Sequence, residues 1–130
     1  MDMYMEEILE HYKHPRNKGT ITNPDIQFKD QNTLCGDEIQ VYLKLDKKKM
    51  ITEIKTEGKG CAISQAAASM LTDALKGKTI EEVRNLKNEF VFDLLQIQLS
   101  PVRVKCALLA LFAVKKGIYK YLGEHYHDEE

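Results

Sequence analysis

The sequence predicts an α+β fold in which three antiparallel strands form a meander between helices and a long helix closes the chain. Apolar and polar residues alternate with a period of two from Ile26 to Phe28, from Ile39 to Leu45 and from Met50 to Glu57. The connections between these stretches are too short for helical crossovers, so the strands are antiparallel. A chain of 130 residues is long enough for one core, and we expect one domain over residues 1–130.

Helical spacing appears before and after the predicted strands. From Met3 to Lys13, apolar residues recur every three or four positions, and Pro15 ends this opening helix. The segment Ile63–Lys76 is rich in alanine and is followed by Gly77, which suits the end of a helix. These patterns predict a helix on each side of the sheet segment.

The last third of the chain carries clear signals for helix starts. Thr79 and Glu82 have the spacing of a capping box and begin a short helix. Ser100 followed by Pro101 is typical of an N-cap and first helical residue, and the apolar pattern then continues to Leu122 before Gly123. No element is assigned to the segment from Glu89 to Leu99.

Charge and hydropathy argue against several classes of function. Lys and Arg number 19 and Asp and Glu 20, so a formal net charge of −1 does not favour binding to nucleic acid or to an anionic membrane. The longest apolar run, Cys106–Val114, is too short to span a membrane and predicts a buried helix segment. The acidic first residues do not resemble a secretion signal, and we expect a cytoplasmic protein.

Three cysteines lie at predicted junctions between elements: Cys35, Cys61 and Cys106. An odd number of cysteines in a reducing compartment argues against a disulfide framework. Cys61 and Cys106 lie near predicted helix N-termini, where the free N–H groups favour the thiolate. Asp37 lies two residues after Cys35 and, in extended backbone, points to the same side. Together these four residues could close a tetrahedral zinc site or hold a [2Fe-2S] cluster.

The same residues allow simpler interpretations. Free cysteines are often buried for packing alone, and Asp37 could be a turn residue beside Gly36. Because an oxygen ligand is harder than a thiolate, a site with three sulfurs and one oxygen should hold a cluster less firmly than four cysteines. The histidines and the basic loop are expected to be solvated rather than to bind metal or a partner; they are His11, His14, His125, His127, Lys13, Arg16 and Lys18.

Several motifs, taken in order along the chain, resemble the IscU/SufU/NifU N-terminal family of iron-sulfur assembly proteins. They are Tyr4, Ile8–Tyr12, His14–Gly19, Leu34–Asp37, Gly60–Ser64 and Arg103–Ala107. The resemblance implies a compact α+β fold, with helices packed on a three-stranded antiparallel sheet, as in IscU and SufE. It also implies that Cys35, Asp37, Cys61 and Cys106 bind zinc or a nascent [2Fe-2S] cluster.

The resemblance is divided between two branches of the family. IscU-type proteins have a histidine immediately before the third cysteine, whereas this sequence has Lys105, as SufU-type proteins do. A protonated lysine has no lone pair and cannot replace that histidine as a metal ligand. The step from Cys61 to Cys106 is too short for the SufU-type insertion, which favours the IscU-type scaffolds. The segment Leu99–Arg103 resembles the motif that an Hsp70-type chaperone grips in IscU, with departures at Ser100 and Arg103.

These observations predict a scaffold rather than an enzyme. A cysteine desulfurase would pass sulfur to Cys106 or Cys35, a [2Fe-2S] cluster would form, and apo iron-sulfur proteins would receive it, with Zn²⁺ in the cluster-free form. The alternatives are a zinc-dependent sulfurtransferase, in which a desulfurase histidine displaces Cys35 from zinc, and a structural zinc protein. The resemblance also raises an Hsp70-type chaperone and a homodimer as candidate partners.

Overall fold

The structure, a computed structural model, describes residues 3–33 and 36–126, and contains three strands and five helices in these ranges. In chain order they are α1 (Met3–Lys13), β1 (Ile26–Asn32), β2 (Asp37–Leu45), β3 (Ile51–Lys59), α2 (Ala62–Leu75), α3 (Ile80–Arg84), α4 (Asn88–Leu95) and α5 (Pro101–Leu122). The predicted strands and the helices assigned from sequence are confirmed, and their observed ends differ from the predicted ones by at most four residues.

The three strands form one antiparallel sheet in the order β1-β2-β3, as the short connections predicted. Ile26 is opposite Leu43 and Asn32 is opposite Asp37, so the end of β1 lies beside the start of β2. On the other side of β2, Glu38 is opposite Lys59. This register brings the start of β2 and the end of β3 together at one end of the sheet.

Helices α2 and α5 pack against each other and against the sheet. The predicted alanines of α2, Ala66 to Ala68, are buried and allow this close approach. In α5, the run from Cys106 to Val114 lies in the core, as predicted, although Phe112 is only half-buried. Among the described helices, none is both long and apolar enough to cross a membrane.

Helix α1 packs against α2, and this contact corrects one prediction. His11 is buried, with 6% of its surface exposed, rather than solvated. Its Nδ1 lies 2.7 Å from the Ser69 hydroxyl of α2. His11 follows buried Ile8 by three residues and therefore lies on the same helical face. This spacing was the signal in the sequence that His11 would be buried. His14 and His125 are exposed, as predicted, and His127 lies outside the described residues.

The basic loop after α1 has exposed side chains, as predicted, but its backbone is held on two sides. The Arg16 N–H donates to the Ser69 hydroxyl (2.7 Å), and the Asn17 amide donates to Asp73 (2.8 Å). The Asn17 carbonyl accepts from the N–H of Thr56 in β3 (3.0 Å). The loop therefore joins α2 to the edge of the sheet.

The ends of the helices explain which elements the sequence revealed. Thr79 and Glu82 form a complete capping box at α3, and Ser100 caps α5 with Pro101 in its first turn. Helix α4 lies in the segment that had no assignment. It has no side-chain cap at Lys87, and it ends at Gln96 in the left-handed region (φ 56°). Both ends thus lack the residue types that usually mark a helix.

Candidate metal centre

Three of the four predicted ligands meet at one end of the sheet. One carboxylate oxygen of Asp37, the Sγ of Cys61 and the Sγ of Cys106 all lie within 4.8 Å of one another. Asp37 begins β2, Cys61 is the N-cap of α2, and Cys106 lies in the second turn of α5. The fourth, Cys35, lies outside the described residues. Three elements that are distant in sequence therefore bring their side chains to one point.

Asp37 is buried, with 1% of its surface exposed. It follows Gly36, whose φ of 72° lets the chain turn into β2. The backbone N–H of Cys61 donates to Oδ1 of Asp37 at 3.1 Å, which ties the carboxylate to the start of α2. A buried carboxylate that faces two sulfur atoms is a donor set suited to a cation, whereas packing alone favours apolar groups there.

Cys61 is half-buried and has extended backbone at the N-cap position. The backbone N–H of Ser64 donates to its Sγ (3.5 Å), and the Ser64 hydroxyl donates to its carbonyl (3.0 Å). Burial raises the pKa of the Cys61 thiol, but hydrogen bonds from Ser64 and Cys106 outweigh it and leave the pKa below its ordinary value. The thiolate, the form that binds metal, is thus favoured.

Cys106 is more enclosed than Cys61, with 1% of its surface exposed. Its place follows from the packing of α5 on α2, which turns this side of α5 inward. The neighbouring residues Arg103 and Lys105 are exposed, so their charged ends are in solvent. Helix geometry separates adjacent residues by about 100° around the axis, which explains why Lys105 and Cys106 have different surroundings.

Gly60 and Ser64 also shape the site, although the sequence assigned no role to either. A side-chain carbon at Gly60 would lie 2.3 Å from the Ser64 Oγ and 2.7 Å from Oδ1 of Asp37. The Gly60 carbonyl accepts a hydrogen bond from the Gln65 amide (2.7 Å). The signal in the sequence was their place in the motif Gly60–Ser64, around Cys61.

No histidine belongs to the candidate metal-binding group found among the described residues. The group that could hold a metal there consists of Asp37, Cys61 and Cys106, whereas His11 is tied to Ser69. The donor set fits Zn²⁺, which takes thiolate and carboxylate ligands, and it equally fits iron in a sulfur-rich site.

Comparison with known proteins identifies the family. The NifU-like N-terminal domain matches residues 3–128. The chain belongs to this family. The match covers nearly the whole chain, and the resemblance seen in the motifs is confirmed.

Relatives from both branches are similar to the chain. The zinc-dependent sulfurtransferase SufU of Bacillus subtilis is 37% identical, over 93% of this chain and 92% of the relative. The IscU scaffold protein of Haemophilus influenzae is 33% identical, over 91% and 94%. The alignment with SufU extends over 139 positions, more than the 130 residues of this chain, so that relative carries residues that this family member lacks.

Solved structures have the same fold. The SufU protein of Fervidobacterium islandicum AW-1 superposes with a TM-score of 0.74 at 28% identity, over 87% of this chain and 94% of that one. The N-terminal part of a NifU-like protein from Brucella abortus gives 0.74 at 23% identity, over 92% and 94%. The predicted architecture, a three-stranded antiparallel sheet with helices and a long C-terminal helix, is confirmed.

Proposed function

We propose that the protein is a scaffold on which a [2Fe-2S] cluster is assembled and from which it is transferred to apo-proteins. The observation that carries this proposal is the meeting of Asp37, Cys61 and Cys106 within 4.8 Å. A site with thiolates and one harder oxygen ligand binds a cluster and also lets it leave. Membership of a family that includes IscU scaffold proteins supports the same function.

The full ligand set proposed is Cys35, Asp37, Cys61 and Cys106. Cys35 precedes Asp37 by two residues, and the turn at Gly36 leads directly into the buried carboxylate. In the cluster-free protein the same residues would hold Zn²⁺, which keeps the thiolates together and protects them from oxidation. The cluster itself is the cargo of the protein.

The proposed partners follow from this chemistry. A cysteine desulfurase supplies the sulfur, and apo iron-sulfur proteins receive the cluster, so the protein acts as a carrier and not as an enzyme. An Hsp70-type chaperone is supported by the segment Leu99–Arg103, which lies at the start of α5 with Val102 55% exposed. A homodimer would shield a cluster from solvent on the side of the site where Cys61 is half-buried.

A zinc-dependent sulfurtransferase is the second candidate. Two observations favour it: the 37% identity to SufU of Bacillus subtilis, and an exposed lysine, Lys105, before the third cysteine. The short step from Cys61 to Cys106 favours the scaffold, because it leaves no room for the SufU-type insertion. The two functions differ in what leaves the protein, a cluster or a sulfur atom.

Anaerobic reconstitution with iron, cysteine and a cysteine desulfurase tests the proposal. We expect near-equal amounts of iron and acid-labile sulfide per chain, and transfer of the cluster to an apo-ferredoxin. Stoichiometric zinc without a cluster, together with faster desulfurase turnover, would instead establish the sulfurtransferase. A structural zinc protein would show neither a cluster nor any effect on turnover, and Cys35→Ser would then change only its stability.

Asp37→Ala tests the role of the oxygen ligand. If Asp37 makes the cluster labile, its removal should slow cluster release, or hold the protein on its desulfurase, by about tenfold or more. The rate of transfer to apo-ferredoxin measures this directly. Asp30→Ala, which removes a carboxylate of β1 that pairs with Lys116 (2.9 Å), is the matched control. Transfer at the wild-type rate by Asp37→Ala would remove Asp37 from this role.

A further inference from the structure

The peptide group between Gly60 and Cys61 is held at both of its polar atoms. Its carbonyl, on Gly60, accepts a hydrogen bond from the side-chain amide of Gln65 at 2.7 Å. Its N–H, on Cys61, donates to Oδ1 of Asp37 at 3.1 Å. A trans peptide group is planar, and its C=O and N–H bonds point in opposite directions. The direction in which Gln65 holds the carbonyl therefore determines where the N–H meets the carboxylate.

The start of helix α2 places Gln65 for this contact. Gln65 is the fourth residue after the N-cap Cys61, and its own backbone N–H donates to the Cys61 carbonyl at 3.1 Å. Side chains on a helix point back toward its N-terminus, and that of Gln65 reaches the preceding carbonyl, on Gly60. Gln65 thus holds the backbone carbonyls on both sides of the Cys61 Cα.

Ser64 does not compete for the Cys61 N–H. In a capping box, the side chain of the third helical residue accepts a hydrogen bond from the N–H of the N-cap residue. Ser64 occupies that position in α2, but its hydroxyl donates to the Cys61 carbonyl (3.0 Å). The N–H of Cys61 is thereby left for the carboxylate of Asp37.

The orientation of Asp37 depends on such contacts because its side chain is buried, with 1% of the residue exposed. Solvent cannot fix the direction of a buried carboxylate, so the groups that donate to it do. Hydrogen-bond partners of metal-binding side chains orient them, and loss of such a partner typically weakens metal binding by about 10- to 100-fold. The Cys61 N–H is a partner of this kind, and Gln65 holds the peptide that carries it.

We propose that Gln65 is a positioning residue of the metal centre, which orients the Gly60–Cys61 peptide so that its N–H holds the Asp37 carboxylate beside the two sulfur atoms. The inference rests on the proposed function, because it takes Asp37 as a ligand of the metal or cluster. It adds a residue that acts on this ligand through a backbone peptide and does not itself belong to the group of candidate ligands.

Gln65→Met tests the proposal, because it removes the amide donor and keeps the length of the side chain. Competition with a chelator measures the zinc affinity, and the Co²⁺ absorption spectrum reports the ligand geometry. Gln27→Met, the same substitution at an exposed position of β1, is the matched control. We expect Gln65→Met to weaken zinc binding by about tenfold and to shift the Co²⁺ bands, while Gln27→Met binds like wild type.

A double-mutant cycle with Asp37→Ala tests whether Gln65 acts through the carboxylate. If it does, Gln65→Met should change the zinc affinity by less than about twofold when residue 37 is already alanine. Equal losses from Gln65→Met in the wild-type and Asp37→Ala backgrounds would overturn the proposal, because Gln65 would then act on the site by another route.

Urea unfolding of the metal-free variants separates positioning from helix stability. A lower stability of Gln65→Met, with wild-type zinc affinity and Co²⁺ spectrum, would overturn the proposal. If Gln65→Met does not fold, Gln65→Ala takes its place in both comparisons, since alanine suits a helix. Failure of the proposed function has a different signature: wild-type protein would then assemble no transferable cluster, although zinc and Co²⁺ binding still separate Gln65→Met from Gln27→Met.

Discussion

The absence of a side chain at Gly60 determines how closely Asp37 approaches the start of α2. The carboxylate and the Ser64 hydroxyl occupy the space where a side chain at this position would lie. Gly60 does not have a positive φ angle, so its backbone conformation is one that alanine can also adopt. The glycine is therefore needed for space and not for backbone conformation.

Gly60→Ala should weaken metal binding by about tenfold or more, because the added carbon displaces the carboxylate or the Cys61 loop. Competition with a chelator measures the zinc affinity, and the Co²⁺ absorption spectrum reports the ligand geometry. Lys59→Ala, the exposed neighbour, is the control and should bind like wild type. If Gly60→Ala keeps the wild-type zinc affinity and Co²⁺ spectrum, the site accommodates the added carbon and the steric argument is wrong.

The pKa of His11 also depends on how the helices pack. Burial lowers the pKa of His11 below its usual value, and the charge of Arg16 lowers it further, whereas carboxylates of Asp73, Glu7 and Glu10 oppose the shift. The unfolded chain then takes up a proton at a higher pH than the folded protein does. Stability is therefore full above the ordinary histidine range and falls as the pH drops through it.

We expect metal-free protein to lose more stability between about pH 7.5 and about pH 5.5 than the His11→Gln variant does. Urea unfolding at both pH values measures the difference, which isolates the histidine because all other groups are shared. Glutamine can keep a hydrogen bond to Ser69, so the variant tests the proton rather than the contact. Equal pH dependence in the two proteins would contradict this account.

At the scale of elements, helix α5 packs on strand β1 as well as on α2. Gly117 lies where α5 crosses the sheet, and a side-chain carbon there would lie 2.9 Å from Cγ2 of Ile26 and 3.1 Å from Cβ of Phe28. A glycine inside a helix normally costs about 1 kcal/mol relative to alanine. The close approach of α5 to the sheet compensates for this cost by burying apolar surface.

Gly117→Ala should therefore destabilise the protein by about 1–3 kcal/mol, although alanine is the better helix former. Equilibrium urea unfolding measures the change. At Lys120, exposed on the same helix, substitution by alanine should alter the free energy of unfolding by less than about 0.5 kcal/mol. A stabilised Gly117→Ala would mean that propensity, not packing, determines the effect at this crossing.

At the scale of the whole molecule, the site joins the sheet, α2 and α5 through Asp37, Cys61 and Cys106. A metal ion bound by all three is bound only by the folded chain, so it stabilises that state by mass action. The ion would act as a crosslink between elements that are far apart in sequence.

Zinc at about 100 times its dissociation constant should raise the free energy of unfolding by about 2.7 kcal/mol, and a chelator should reverse this. Thermal unfolding with and without zinc measures the shift. The Cys106→Ala variant is less stable than wild type even without zinc, so each protein is compared with and without zinc. Zinc should raise the unfolding temperature of Cys106→Ala far less than that of wild type. An equal zinc effect in Cys106→Ala would exclude that cysteine from the site.

The sequence by itself determined the strands, most helix ends and the four candidate ligands, because alternation, caps and motifs are local properties of the chain. Helix α4 was not predicted, because neither Lys87 nor Gln96 is a residue type that usually ends a helix. Only the tertiary structure decided that Asp37, Cys61 and Cys106 meet, that His11 is buried and that Gly60 leaves room for the carboxylate. Distances between segments depend on how α2 and α5 pack on the sheet, and no local pattern contains that information.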